Sequence, residues 1–241
     1  YFGYPKEEIR FFKQGVLPTV DTEGKILLSD KGQISLGPDG NGGCFLALKK
    51  AGYLDELKKN GVEWLFFYGV DNALVKVVDP YFLGFTIESG MQAACKVVDK
   101  SSPEEKVGVL CYKNGHPAIV EYTEIPEKLA KERYSDGKLV YSNGSILNFM
   151  LSVNFIEDCL NIEIPYHVAF KKISYINQDG IQINPEKPNG YKFECFAFDI
   201  FSNLSDMGAF KVLREENFAP VKNRDGEDSP ATARELIFNY H

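Results

Sequence analysis

Residues 37 to 43, Gly37-Pro38-Asp39-Gly40-Asn41-Gly42-Gly43, put four glycines in seven residues directly before a helical pattern. Such a loop lets backbone approach a flat or phosphorylated ligand and offers N–H groups at a helix N-terminus. The same spacing also describes a plain turn with a helix cap. Neither the dinucleotide fingerprint G-x-G-x-x-G nor the P-loop G-x-x-x-x-G-K-[ST] is present. Asp71 follows the apolar run 64–70. A carboxylate at the carboxyl end of a strand stands where open α/β sheets bind ligands, and one Asp there can hold Mg²⁺ against a nucleotide's phosphates. Capping or an Asx turn is the alternative use. Glu121-Tyr122 pairs an acceptor for sugar hydroxyls with an aromatic for a ring face; an exposed strand end would look the same. Lys192, Arg214, Lys222 and Arg224 are spaced as a phosphate ligand requires, and equally as a solvated face would be. Asp199, behind the apolar run that ends at Phe198, is a candidate second metal contact. No Ser-His-Asp or Cys-His arrangement supports covalent hydrolase chemistry.

Positioning these residues requires strands alternating with helices. The pattern predicts helices over 5–12 (stopped by Gly15), Gly43–Lys50 and 54–60, and a central strand over 64–70 buried on both faces. Asp79-Pro80 reads as the cap and first position of a helix through about Ser89, closed by Gly90. Further strands are expected at 94–98, 107–111, 118–122, 146–153 and 192–198, with helices at 126–133 and 154–160. Lys171, Lys172, Lys187 and Lys192 against Asp179 and Glu186 make 171–192 a local positive region. This alternation implies an α/β fold with a mainly parallel or mixed sheet.

The 241 residues, 44% of them apolar, suffice to bury a large core without a disulfide or metal staple. A net charge of −7 argues against general nucleic-acid binding, which needs clustered cations. Cys44, Cys95, Cys111, Cys159 and Cys195 are odd in number and widely spaced, so they read as reduced core residues. There is no C-x-x-C pair, and His116, His167 and His241 do not cluster, which gives no zinc site. With no long apolar stretch and no signal peptide, no membrane span is expected and the cytoplasm is favoured. The start at Tyr1 rather than a methionine is read as a trimmed piece, and the absence of linkers as one catalytic domain over 1–241. The oligomeric state has no signature here.

The ordered segments Phe11-Phe12-Lys13-Gln14-Gly15-Val16-Leu17-Pro18, Pro38-Asp39-Gly40-Asn41-Gly42-Gly43, Val70-Asp71-Asn72, Val77-Val78-Asp79-Pro80, Val120-Glu121-Tyr122, Pro188-Asn189-Gly190 and Leu213-Arg214-Glu215 resemble the UDP-N-acetylhexosamine pyrophosphorylases. These belong to the UTP:sugar-1-phosphate uridylyltransferase superfamily. The resemblance implies a Rossmann-like, GT-A-like nucleotidyltransferase fold, a mixed sheet flanked by helices that lacks its first strand-loop-helix unit. It implies UTP and N-acetylglucosamine 1-phosphate as substrates, with Mg²⁺ or Mn²⁺ as cofactor, and neither nucleic acid nor membrane as partner. By the resemblance, Gln14, Pro38 and Gly40 belong to the nucleotide site, Asn41 and Gly42 to the sugar side of that loop, and Asp71 to the ribose–phosphate region and its metal. Glu121 and Tyr122 match the sugar-binding pair, Phe196 and Phe198 the aromatics of the sugar pocket, and Lys192 and Lys222 the phosphate-binding lysines. Ser145 stands at a sugar-contacting position where animal members of the family carry Asn. The family's G-G-x-G-T-R loop lies upstream of this segment, so the isolated chain is expected to lack turnover. UDP-glucose or broad UDP-sugar use, or UDP-sugar binding without turnover, are the alternatives.

Overall fold

In a computed structural model, which describes residues 3–241, the strands alternate between two sets of sheets. Up to Asn60 the chain forms β1 (Val16–Pro18), β2 (Val20–Asp21), β3 (Leu28–Asp30), β4 (Gln33–Ile34), β5 (Leu36–Pro38), α1 (Gly43–Lys50) and α2 (Tyr53–Lys59). The next stretch, Gly61–Cys159, carries β6 (Trp64–Tyr68), α3 (Pro80–Glu88), β7 (Ala93–Asp99), β8 (Val109–Lys113), β9 (His116–Val120), α4 (Glu127–Ala130), β10 (Asn143–Ser152) and α5 (Val153–Cys159). Leu160–Asp199 adds β11 (His167–Lys171), β12 (Tyr175–Ile176), β13 (Gln182–Ile183) and β14 (Gly190–Glu194), and Ile200–His241 adds β15 (Gly208–Lys211), α6 (Arg214–Asn217) and α7 (Pro230–Tyr240). The first and third stretches pack as one compact unit, the second and fourth as another.

In the first unit β14 runs between β11 and β2, both antiparallel to it, and the hairpin-like pairs β1–β5, β3–β4 and β12–β13 complete the strand set. The second unit holds a six-stranded mixed sheet, ordered β15-β7-β10-β8-β9, with β6 also on β10. Among the described residues only β15–β7 is parallel there. Its core is Phe149, Met150 and Leu151 of β10, Ala93–Val98 of β7 and Phe82 of α3, all at or near zero exposure. α3 forms as its sequence requires: Asp79 accepts from the amides of Tyr81 (3.0 Å) and Phe82 (3.5 Å), and Pro80 fills the first position. The same carboxylate meets Lys96 Nζ at 2.6 Å, and Lys96 is fully buried. Burial pushes the Asp79 carboxyl up, but Lys96 and the two amides outweigh it and hold it below the usual carboxylate range.

Four expectations change. Residues 5–12 make only the 3₁₀ turn Lys6–Glu8, with nothing buried, because one short segment without a packed face cannot repay helix nucleation. The run 64–70 ends as strand at Tyr68 and is half-buried rather than central; β10 is its one strand neighbour among the described residues, and Val70 is 95% exposed. It reads as continuously apolar because its alternate faces meet different aromatics, Phe66 against Phe82 and Phe67 against Phe149. The strand expected over 192–198 stops at Glu194 and becomes a 3₁₀ turn over Ala197–Asn203, because side chains capture the amides of Phe196 and Ala197. The helix over 126–133 shortens to Glu127–Ala130, and Arg133 instead bridges to Leu139 in a turn.

Candidate functional site

Within the first unit the glycine-rich loop is folded onto the segment that follows β14. Gly42 N donates to Cys195 O (2.9 Å), Cys195 N to Asp39 O (2.8 Å), and Ala197 N to Asn41 Oδ1 (2.8 Å). Gly40 has φ +85°, and a Cβ there would collide with the Cys195 carbonyl; one on Gly42 would lie 2.7 Å from Phe196 O. These glycines therefore permit a close approach of two backbones. Gln14 reaches the same loop, its Nε2 donating to Gly40 O (3.2 Å) and Asp39 Oδ1 (3.4 Å). Pro38 ends β5, and the stem of Lys192 on β14 lies beside Gly37 of that strand.

The turn beyond β14 presents Phe196 and Phe198 stacked at 5.0 Å, with His167 packed on Phe196 at 4.6 Å. Asp199 holds this group: Oδ2 accepts from Phe196 N (2.7 Å) and Oδ1 meets His167 Nε2 (2.9 Å). Sequence reasoning missed His167, whose only signal was its place on a strand next to a lysine-rich stretch. Burial, and then the charges of Asp199 and Asp39, push the Cys195 thiol up to about 11. Burial and Asp39 push Cys44 up to about 12.

In the second unit Glu121 and Tyr122 lie just past β9. Ser145 N donates to Gly108 O (2.8 Å), and a Cβ on Gly108 would sit 3.3 Å from Glu121 Oε1, so Gly108 brings Ser145 and Glu121 together. Nothing in the sequence beyond a glycine before an apolar run pointed to Gly108. After Ser145 the register of β10 against β7 slips, and Leu147 takes φ +55°, a conformation costly for a branched side chain. Its amide meets Ser145 Oγ (3.4 Å) and its carbonyl accepts from Gly69 N (3.3 Å), which links Ser145 to the segment bearing Asp71.

Asp71 is half-buried in the turn after β6, and its carbonyl accepts from Val221 N (2.8 Å), the residue before Lys222. Lys222 Nζ stands over the Phe218 ring at 5.8 Å, at a cavity of about 320 Å³ lined by the cations Lys106 and Arg214 and by the acids Glu104, Glu105, Glu227 and Asp228. Arg214 is bound to Glu105 (2.6 Å) and Asp99 O (3.1 Å). Arg224 is 96% exposed beside Asp225, a solvated cation. So the nominated residues divide by unit: Gln14, Pro38, Gly40, Asn41, Gly42, Lys192, Phe196, Phe198 and Asp199 in one, Asp71, Glu121, Tyr122, Ser145 and Lys222 in the other. Among the described residues no three His, Cys, Asp or Glu side chains are grouped to hold a metal, and no helix is long and apolar enough to cross a membrane. All five cysteines are unpaired thiols.

Comparison with known proteins identifies the family of the chain. The chain is 40% identical over its whole length to the UDP-N-acetylhexosamine pyrophosphorylase-like protein 1 of Homo sapiens, covering 48% of that protein. It is 40% identical to the UDP-N-acetylglucosamine pyrophosphorylase of Saccharomyces cerevisiae over 97% of this chain and 51% of that one. The crystal structure of the uridine diphosphate N-acetylglucosamine pyrophosphorylase of Trypanosoma brucei with an inhibitor superposes with a TM-score of 0.85 at 32% identity, over 99% of this chain and 49% of that chain. The chain thus spans about half the length of the curated relatives it matches. The UTP–glucose-1-phosphate uridylyltransferase family matches residues 1–227, and the chain belongs to that family.

Proposed function

We propose that the chain carries the uracil, sugar and phosphate contacts of a uridylyltransferase that joins UTP and N-acetylglucosamine 1-phosphate into UDP-N-acetylglucosamine and pyrophosphate. The observation that supports this most is the seam between the glycine-rich loop and residues 195–199, which sets Gly40 against Cys195, Gly42 against Phe196 and Asn41 against Ala197, with Gln14 bonded to Gly40. A nucleotide loop and an aromatic sugar platform in one compact unit suit a ligand that is both nucleotide and sugar. Gln14 and Gly40 take the uracil, with Pro38 at the loop's entrance. In this reading Asn41, Gly42, Phe196 and Phe198 are sugar contacts, and so are Glu121, Tyr122 and Ser145.

A sugar 1-phosphate is an anion near neutral pH, so the reaction needs alignment and charge cancellation rather than a general base. A phosphate oxygen of the sugar forms a bond to the α-phosphorus of UTP. The bond from that phosphorus to the bridging oxygen breaks, and pyrophosphate leaves with its electron pair. Lys192 and Lys222 supply fixed positive charge to the phosphates. One half-exposed carboxylate at a strand end is the donor that Mg²⁺ or Mn²⁺ takes when phosphates and waters fill the other positions, so Asp71 fits such an ion. When bound, the ion supplies further neutralisation of the triphosphate. Asp199, with its oxygens directed to His167 and the Phe196 amide, serves in this reading to hold the aromatic platform. Five reduced thiols and nucleotide substrates suit a cytoplasmic setting.

Calorimetric titration of the chain with UTP, UDP-N-acetylglucosamine and UDP-glucose tests the reading. The N-acetylated sugar nucleotide should bind more tightly than UDP-glucose. Glu121→Ala should weaken both sugar nucleotides by about 1–3 kcal/mol while sparing UTP. Absence of UDP-sugar binding, or equal loss for UTP and UDP-sugar, would overturn it.

A further inference from the structure

Asn72, 4% exposed, sits between the residue proposed for the metal and the strand-like segment that leads to Lys222. Its Nδ2 donates to Asn217 O (2.8 Å), and its Oδ1 accepts from Ala219 N (2.9 Å) and Leu74 N (3.2 Å). Backbone bonds flank this side chain on both sides: Ala73 N to Ala219 O (3.0 Å) and Val221 N to Asp71 O (2.8 Å). Asn72 and Pro220 form an isolated antiparallel bridge, without a longer ladder to enforce the pairing. Asn217, also 4% exposed, is fixed in turn by its Nδ2 donating to Leu213 O (3.0 Å).

We infer that Asn72 is a positioning residue that sets the register between Asp71 and Lys222. A bridge of so few backbone bonds can slip, and a slip by one residue moves Lys222 to the other side of its segment. The Asn72 amide prevents this because it binds a carbonyl and an amide two residues apart on the partner segment. Only a side chain with both a donor and an acceptor can do so: aspartate has no donor, and alanine has neither. The inference rests on the assignment of Asp71 and Lys222 to the phosphate site, yet the register itself can be read without any ligand.

The test uses Asn72→Ala and Asn72→Asp in the 241-residue chain, with Thr86→Val as a control. Thr86 is buried in α3, where its hydroxyl bonds Phe82 O, so this control lowers stability elsewhere in the same unit. Amide hydrogen exchange of Val221 and titration with Mn²⁺ and UTP, followed by the electron spin resonance of free Mn²⁺, give two independent readouts. In Asn72→Ala, exchange at Val221 should rise about tenfold over the control, and affinity for Mn²⁺–UTP should fall about tenfold. Asn72→Asp keeps the two accepted bonds and should recover most of the Val221 protection. If Asn72→Ala does not fold, Asn72→Asp decides alone, since losing the bond to Asn217 must still speed Val221 exchange beyond the control. Val221 exchange equal to the control overturns the inference. Faster Val221 exchange with unchanged Mn²⁺–UTP affinity upholds the register and overturns the assignment of Asp71 to the metal.

Discussion

In the first unit the loop over residues 37–43 lies against Cys195 and Phe196 because Gly40 and Gly42 leave room for the carbonyls of those residues, and the Asn41 side chain and two backbone bonds tie the segments. In the second unit the stretch after β6 is held by buried polar groups instead: the Asn72 amide at one end and the Asp79–Lys96 pair at the other. Glycine makes a close approach possible without holding it. A buried polar side chain holds its partner, but leaves that partner desolvated and unpaired when it is removed. The first unit should therefore be most sensitive to atoms added, the second to atoms taken away.

The largest effect is expected from Asp79→Ala. It strands the buried Lys96 ammonium and removes the cap of α3, and should cost about 3–5 kcal/mol in urea unfolding. Because the folded carboxyl is held below its ordinary range, its contribution is present above that range and is lost as the pH falls through the lowered value. The gap between wild type and Asp79→Ala should thus narrow below about pH 4. A gap that stays constant to lower pH would show that the pair acts by packing alone. Next comes Gly42→Ala, which must push its new methyl against Phe196 O or open the seam, at about 1–3 kcal/mol. Here UDP-sugar affinity should fall more than in Asp79→Ala once both are corrected for folded fraction. If Asp79→Ala loses as much affinity, the contrast between the units fails. The smallest effect belongs to Asp39→Asn. It removes a charge that helps lift the Cys44 thiol to about 12 but leaves burial, the larger cause. Alkylation of Cys44 by iodoacetamide should rise less than about tenfold. A greater rise would mean that the charge, not burial, guards the thiol.

What could be read from the sequence was local. Asp79-Pro80 opened its helix, and the glycine-rich loop preceded α1, because caps and glycine conformations depend on neighbours in the chain. The Ser229-Pro230 cap with Thr232 was legible in the same way and announces α7, which sequence reasoning passed over. The hidden features depend on distant partners. The strand after Glu194 was lost to Asn41, more than 150 positions away, and to Asp199, and no period in the sequence encodes those captures. Leu147, in a left-handed conformation, carries no mark of the slip in β10. The segment Val70-Asp71-Asn72 drew notice for its acid, whereas its amide makes three of the bonds that organise it.

The interleaving of the two units bears on how the chain is made. The ladder partner of β2 is β14, where Val20 pairs with Tyr191, so β2 waits until that far later residue has been made before the pairing can form. At ordinary translation rates that delay is on the order of ten to thirty seconds, far longer than a hairpin takes to form. During it, the edge of β2 that β14 will cover is unpaired and open to foreign strands. The first unit is therefore completed late, and a nascent chain stalled before residue 190 would display the glycine-rich loop without the backbone that gives it its shape.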